Sequence, residues 1–131
     1  MDYKQSLEEM NKLLEELKEK NKTVPIIVEG EKDVEALRSL DITGTIIIVN
    51  TGMSIPNFCD KIANEYEEVI LLTDWDRRGG FLCHTISKNL EGRVKCNTTY
   101  REMFAKHTTI RTVEGLPSWI KTMKEKSITT I

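Results

Sequence analysis

No stretch of this 131-residue sequence approaches the roughly 20 consecutive apolar residues that a membrane span requires. Its first ten residues, MDYKQSLEEM, are polar and acidic where a secretory leader would be apolar, so the expectation is a cytoplasmic protein with no membrane partner. Cysteine is scarce as well. Cys59, Cys83 and Cys96 are an odd number without close spacing, which argues against both a disulfide framework and a zinc knuckle. His84 and His107 have no ligand spacing to those cysteines and are assigned no chemistry. Charge of one sign is not in excess: 19 Lys and Arg against 21 Asp and Glu give a formal net charge of -2. That balance excludes holding nucleic acid by bulk electrostatics and leaves only a local contact. Neither a Walker A loop nor a G-x-G-x-x-G fingerprint occurs, which removes the commonest nucleotide-binding readings of an α/β chain.

What is present is a regular alternation. Three short apolar runs, Val24 to Val28, Thr45 to Val49 and Val69 to Leu72, are rich in β-branched and aliphatic residues and too short for helices, so they read as buried strands. Helical patterns follow them at about Lys32 to Leu40, Pro56 to Tyr66 and Gly80 to Leu90, and a fourth strand is expected near Arg93 to Thr98. Strand and helix in turn make the expected fold class α/β, with a mainly parallel four-stranded sheet covered by helices on both faces. The chain is of a size for one domain. Within it, 1–22 would be an amphipathic helix carrying Leu7, Met10, Leu13, Leu14 and Leu17 on one stripe, 23–98 the core, and 99–131 a helical extension. That first helix should cover the sheet; recruitment of a protein partner is its weaker reading.

In open parallel sheets, binding groups collect where the strands end and open into loops and helix N-termini. Here the strands end in Glu29-Gly30, in Asn50-Thr51-Gly52, and in Thr73-Asp74-Trp75-Asp76-Arg77-Arg78-Gly79-Gly80. Asp74 and Asp76 alternate across an extended segment, so both can leave the same side of the chain, and Glu29 reaches that edge from another strand. Three converging carboxylates would repel one another unless a cation neutralised them, and hard oxygen ligands suit Mg²⁺, with Mn²⁺ as a substitute. A lone Asp after a strand more often just caps the next helix. Three together favour a metal. Gly30 and Gly79 would let the backbone turn and a ligand approach, and Gly52 could serve likewise or mark a plain turn.

The order of these motifs carries a resemblance. A strand ending in V-E-G, followed by E-K-D-V-E-A-L and later by a strand ending in T-D-W-D-R-R-G, is similar to the Toprim domain. That domain is shared by topoisomerases, bacterial-type primases, overcoming-lysogenization-type nucleases and a ribosomal RNA maturation nuclease. The likeness runs from about Val24 to Thr98, and the chain's size resembles that of small stand-alone archaeal Toprim proteins. The resemblance implies that Asp74 and Asp76 hold Mg²⁺, that Glu29 acts as a general acid or base, and that Asp33 supports the site. It also implies phosphodiester chemistry on RNA or DNA.

None of Tyr3, Tyr66 and Tyr100 is placed like a topoisomerase nucleophile, and the chain is too short for the regions that flank the domain in primases. Metal-assisted hydrolysis, with water attacking and Glu29 assisting proton transfer, is then the most economical enzyme reading. Its alternative is a non-catalytic nucleic-acid or ribonucleoprotein module using the same site for phosphate contact. A haloacid-dehalogenase-type phosphatase ranks below both, because Arg77 stands where that motif has Thr or Val and the D-x-D follows the third strand rather than the first. Lys32, Arg77 and Arg78 flank the acids and could grip a phosphate backbone; Lys88, Arg93 and Lys95 are more simply surface charge. Trp75, between the two aspartates, points away from them and belongs with the core.

Overall fold

The computed structural model describes residues 2–129. In chain order these form α1 (Tyr3–Asn21), β1 (Ile26–Val28), α2 (Glu31–Ser39), β2 (Ile46–Ile48), α3 (Ile55–Glu65), β3 (Glu68–Leu71), α4 (Arg77–Leu90), β4 (Lys95–Asn97), α5 (Thr99–His107) and α6 (Leu116–Thr129). The four strands form one all-parallel sheet in the order β2-β1-β3-β4, as the alternation of strand and helix predicts. Among the described residues no helix is long and apolar enough to cross a membrane.

Alternation along the strands divides the core in two. Ile26 and Val28 of β1, with Ile70 of β3 and the following Leu72, point to one face, where Leu13 and Leu17 of α1, Leu37 of α2, Phe104 of α5 and Trp119 and Ile120 of α6 bury them. Ile27, Val69 and Leu71 point to the other, under Phe58 and Ile62 of α3 and Ile86 and Leu90 of α4. A strand buried on both faces needs no polar alternation, which is why these runs are continuously apolar. The strands are shorter than the runs. Val24 still donates its N–H to the Lys20 carbonyl at the end of α1, at 3.1 Å, and Pro25 has no N–H to give a ladder. The apolar stripe of α1, from Met10 to Leu17, is buried in the core beside α5 and α6, as expected of a helix that covers the sheet.

Helix α4 begins at Arg77, three residues before the periodicity suggests. The Asp76 carboxylate accepts the Gly79 N–H at 2.7 Å and draws Arg77, Arg78 and Gly79 into the first turn. The strand order matters for function. From β1 the chain moves to β2 on one side, then crosses to β3 on the other, so the order reverses between β1 and β3. The loops leaving such neighbours diverge to opposite faces and open a crevice at their carboxyl ends. Glu29 follows β1 and Asp74 follows β3 into that crevice.

Candidate functional site

Glu29 is 7% exposed, and its Oε2 accepts the backbone N–H of Asp74 at 2.8 Å. The two strand ends are thereby tied together. Asp74 in turn accepts the Val113 N–H on Oδ1 at 2.9 Å, and Asp76 accepts the Gly79 N–H on Oδ1 at 2.7 Å. All three acids share one pattern: one carboxylate oxygen of each is pinned by a backbone N–H. For Glu29 the other oxygen lies 3.8 Å from the guanidinium of Arg78, whose side chain is 83% exposed, so water screens the pair.

Burial pushes the Asp74 carboxyl up to about 6; the Val113 N–H pulls against this, while the charge and hydrogen-bonding contact of Glu29 and the charge of Asp76 add to it. Asp33 lies behind this pair. It is buried, its carboxylate accepts the Gly30 N–H at 3.0 Å, and burial pushes it upward, with help from the charges of Asp74 and Glu114. Carboxyls held in this way are short of positive charge, and an all-oxygen donor set suits a hard divalent cation such as Mg²⁺ or Mn²⁺. The convergence is nonetheless less complete than the sequence suggests. Among the described residues no three His, Cys, Asp or Glu side chains form a ready metal-holding group. What stands there is a Glu29–Asp74 pair with Asp76 coupled to it through space, because the D-x-D segment bends after β3 instead of continuing extended and Asp76 turns onto the start of α4.

The glycines separate by cause. A Cβ on Gly79 would run into the backbone of Asp74, so close packing of α4 on the D-x-D loop demands glycine there. Gly30 is extended (φ -153°, ψ -176°), and a Cβ would meet open space; a sharp turn is not its reason, and the room beside Glu29 is free for a ligand. Gly52 has φ +86°, which alone accounts for a glycine in the loop after β2. Lys32 and Arg77 are exposed near the acids. Arg93 is engaged by Asp60 at 2.9 Å, and Lys88 stands 3.8 Å from Glu91. A cavity of about 220 Å³ lies over β2 and α3, lined by residues such as Ile47, Met53 and Phe58, and none of the acids reaches it.

Three contributors escape a reading of the sequence. Arg101 of α5 donates from Nε to the Thr73 carbonyl (3.1 Å) and from NH2 to the Asp74 carbonyl (2.8 Å), clamping the backbone beneath the aspartate. Thr73 is fully buried and donates its hydroxyl to the Gly79 carbonyl at 2.8 Å. The 110–113 segment straps the loop: besides Val113, the Ile110 carbonyl accepts the Trp75 indole N–H (2.6 Å) and the Arg111 carbonyl accepts the Trp75 backbone N–H (2.9 Å). Trp75 thus faces inward, against Phe104, as its alternation with the aspartates predicts. Replacing Arg101 with Gln is expected to cost about 2 kcal/mol, the loss of charge-assisted bonds to two part-buried carbonyls. Thermal unfolding in EDTA checks this, and a Mn²⁺ titration should show weakened binding because the aspartate is no longer held.

With that geometry in place, comparison with known proteins is decisive. The family model for the Toprim domain matches residues 24–106. The chain belongs to the Toprim-domain family. Among relatives of this Toprim protein, a UPF0292 protein of Thermoplasma volcanium is 42% identical over 117 residues, covering 88% of this chain and 98% of the relative. A UPF0292 protein of Methanocaldococcus jannaschii is 38% identical over 116 residues, covering 86% and 91%. A solved structure of a protein from Aquifex aeolicus superposes with a TM-score of 0.69 at 25% identity, over 79% of this chain and 94% of that one. The Toprim match ends before residues 110–113, so the strap that holds Asp74 lies outside the matched domain.

Proposed function

We propose that this Toprim protein is a Mg²⁺-dependent enzyme of nucleic-acid phosphodiesters, acting in the cytoplasm by nuclease-type hydrolysis. The observation that carries the reading is the carboxyl pair of Glu29 and Asp74 at the sheet's switch point, each with one oxygen pinned by a backbone N–H. A divalent cation bound there, Mg²⁺ or Mn²⁺, would neutralise phosphate charge and acidify water. Asp74 and Asp76 would hold it. Glu29, fixed through Oε2, keeps Oε1 available to take or return a proton. Arg78, already beside that oxygen, can turn outward to a phosphate, with Arg77 and Lys32 as exposed neighbours. The open space at Gly30 leaves room for the scissile group.

A second reading keeps the phosphate contact and drops the turnover. It is favoured by the incomplete acid cluster, in which Asp76 serves as the cap of α4. End-labelled single-stranded, duplex and structured RNA and DNA, incubated with Mg²⁺ or Mn²⁺ beside an Asp74→Ala/Asp76→Ala variant, separate the two. Metal-dependent cutting that the variant loses is the expected result. Binding without cutting in every metal would leave the non-catalytic module.

A further inference from the structure

Helix α4, which leaves the acidic site, carries a second signal on its far side. Every other helix among the described residues includes Asp or Glu, whereas α4 (RRGGFLCHTISKNL) has none, in a chain where acids outnumber bases. Arg77, Phe81, His84 and Lys88 recur at spacings of four, three and four, which at 3.6 residues per turn puts them on one narrow strip. All four are exposed, while Gly79, Cys83, Ile86 and Leu90 on the opposite side are buried. Phe81 is 73% exposed, the highest value among the large apolar residues described, and nothing in the core explains an aromatic there. The strip is about 16 Å long at 1.5 Å per residue and begins at Arg77, beside the acids.

We propose that this outer face of α4 is a track for single-stranded nucleic acid, with Phe81 stacking on an unpaired base and Arg77, His84 and Lys88 set along the phosphates. The inference rests on the phosphodiester reading of the acidic site and specifies the form of its substrate. An isolated aromatic ring in water can stack on any unpaired base, whereas bases inside a duplex already cover each other's faces. Arg77 one helical turn before the ring and Lys88 two turns after it match the charge of a phosphate backbone, and no carboxylate on α4 opposes them. The pairing of Lys88 with Glu91 at 3.8 Å is exposed and easily exchanged for a phosphate. A protein partner would call for an apolar rim around Phe81, and the strip has basic residues instead.

The test is fluorescence anisotropy in EDTA, where metal-dependent cleavage does not compete, with end-labelled oligo-dT and oligo-U against a duplex of equal length over a salt series. The expected results are preference for the single strands, loss of about tenfold in affinity for them in Phe81→Ala, and retention in Phe81→Trp. Arg77→Gln/Lys88→Gln should flatten the salt slope by about 0.7 per charge removed. Thermal stabilisation by Mn²⁺ should be unchanged in Phe81→Ala, which shows that the acidic site is intact. If Phe81→Ala binds single strands like the wild type, or if it merely dissolves a self-associated form, the track is refuted while the phosphodiester reading stands. If the wild type binds neither single strands nor duplex in EDTA, the track is refuted, and the phosphodiester reading is decided separately by the cleavage assay with Mg²⁺ or Mn²⁺.

Discussion

Replacing Asp74 with Asn is expected to make the metal-free protein more stable at pH 8, although it removes a central group of the site. The carboxyl is raised from the usual 3.8 to about 6, chiefly by burial and then by Glu29 and Asp76, so at pH 8 the folded state carries a charge it would prefer to lose. An asparagine keeps an oxygen for the Val113 N–H, and its amide can donate to Glu29 where the aspartate repels it. The full displacement corresponds to about 3 kcal/mol. Asp74 is partly exposed, and solvent screening reduces that to about 1–2 kcal/mol, or roughly 3–6 °C in Tm for a domain of this size. A Tm in EDTA at pH 8 equal to or below the wild type's would refute the account of Asp74 as a destabilising, function-reserved charge.

The pH dependence follows with a definite sign. Because the folded carboxyl takes up its proton at a higher pH than the unfolded one, the native state binds more protons between about pH 4 and 6. Stability contributed by the protonated form is present at the low end of that window and is lost as pH rises through about 6. Asp33, also raised, pushes in the same direction. The Asn variant should flatten this fall. Mg²⁺ or Mn²⁺ should reverse it in the wild type, by about 2.7 kcal/mol at a cation concentration 100 times Kd, and leave the variant's Tm nearly unchanged. A site that gains stability when its acid is neutralised and yet keeps the acid is one where function opposes stability.

How far this arrangement can be read from sequence depends on the range of the contact. The strands are legible because Ile26 to Val28 and Val69 to Leu72 are buried on both faces and so form unbroken apolar runs. Glu29 and Asp74 are legible because each stands directly after such a run, where a parallel sheet gathers its ligands. Asp76 is harder: a residue that caps a helix and a residue that holds a cation are both Asp at the same place, and only its 2.7 Å bond to the Gly79 N–H reveals the first role. Arg101 and Val113 had no local signal. They meet Asp74 from 27 and 39 residues away, one through a guanidinium on backbone carbonyls and the other through a main-chain N–H that any residue but proline would supply. Contacts made by the backbone leave almost no trace in residue type.

Gly79→Ala is expected to be the most damaging single substitution at the site. Alanine normally favours a helix over glycine by about 1 kcal/mol, so propensity alone argues for stabilisation. Packing argues the other way and dominates, because the added Cβ would meet the carbonyl of Asp74, which is backbone and cannot rotate aside. Neither side of the contact is free to yield. The Asp74 carbonyl is clamped by Arg101, the Gly79 N–H is bound to Asp76, and the Gly79 carbonyl is bound to Thr73. The loop must therefore break one of these bonds, at a cost of about 3 kcal/mol or more, which lowers Tm by roughly 10 °C and displaces Asp74 and Asp76 together. Gly30→Ala is the matched control: its Cβ meets open space and its backbone is extended, so the metal-free Tm should move by no more than the equivalent of about 0.5 kcal/mol. Thermal unfolding of both variants, with and without Mn²⁺, distinguishes the roles. If Gly79→Ala unfolds like the wild type and still gains stability from Mn²⁺, the tight seating of α4 on the D-x-D loop is not what positions the acids. If instead only Gly79→Ala loses both, the helix start and the acidic site are one structure, and the glycine that follows D-x-D is there to let the backbones touch.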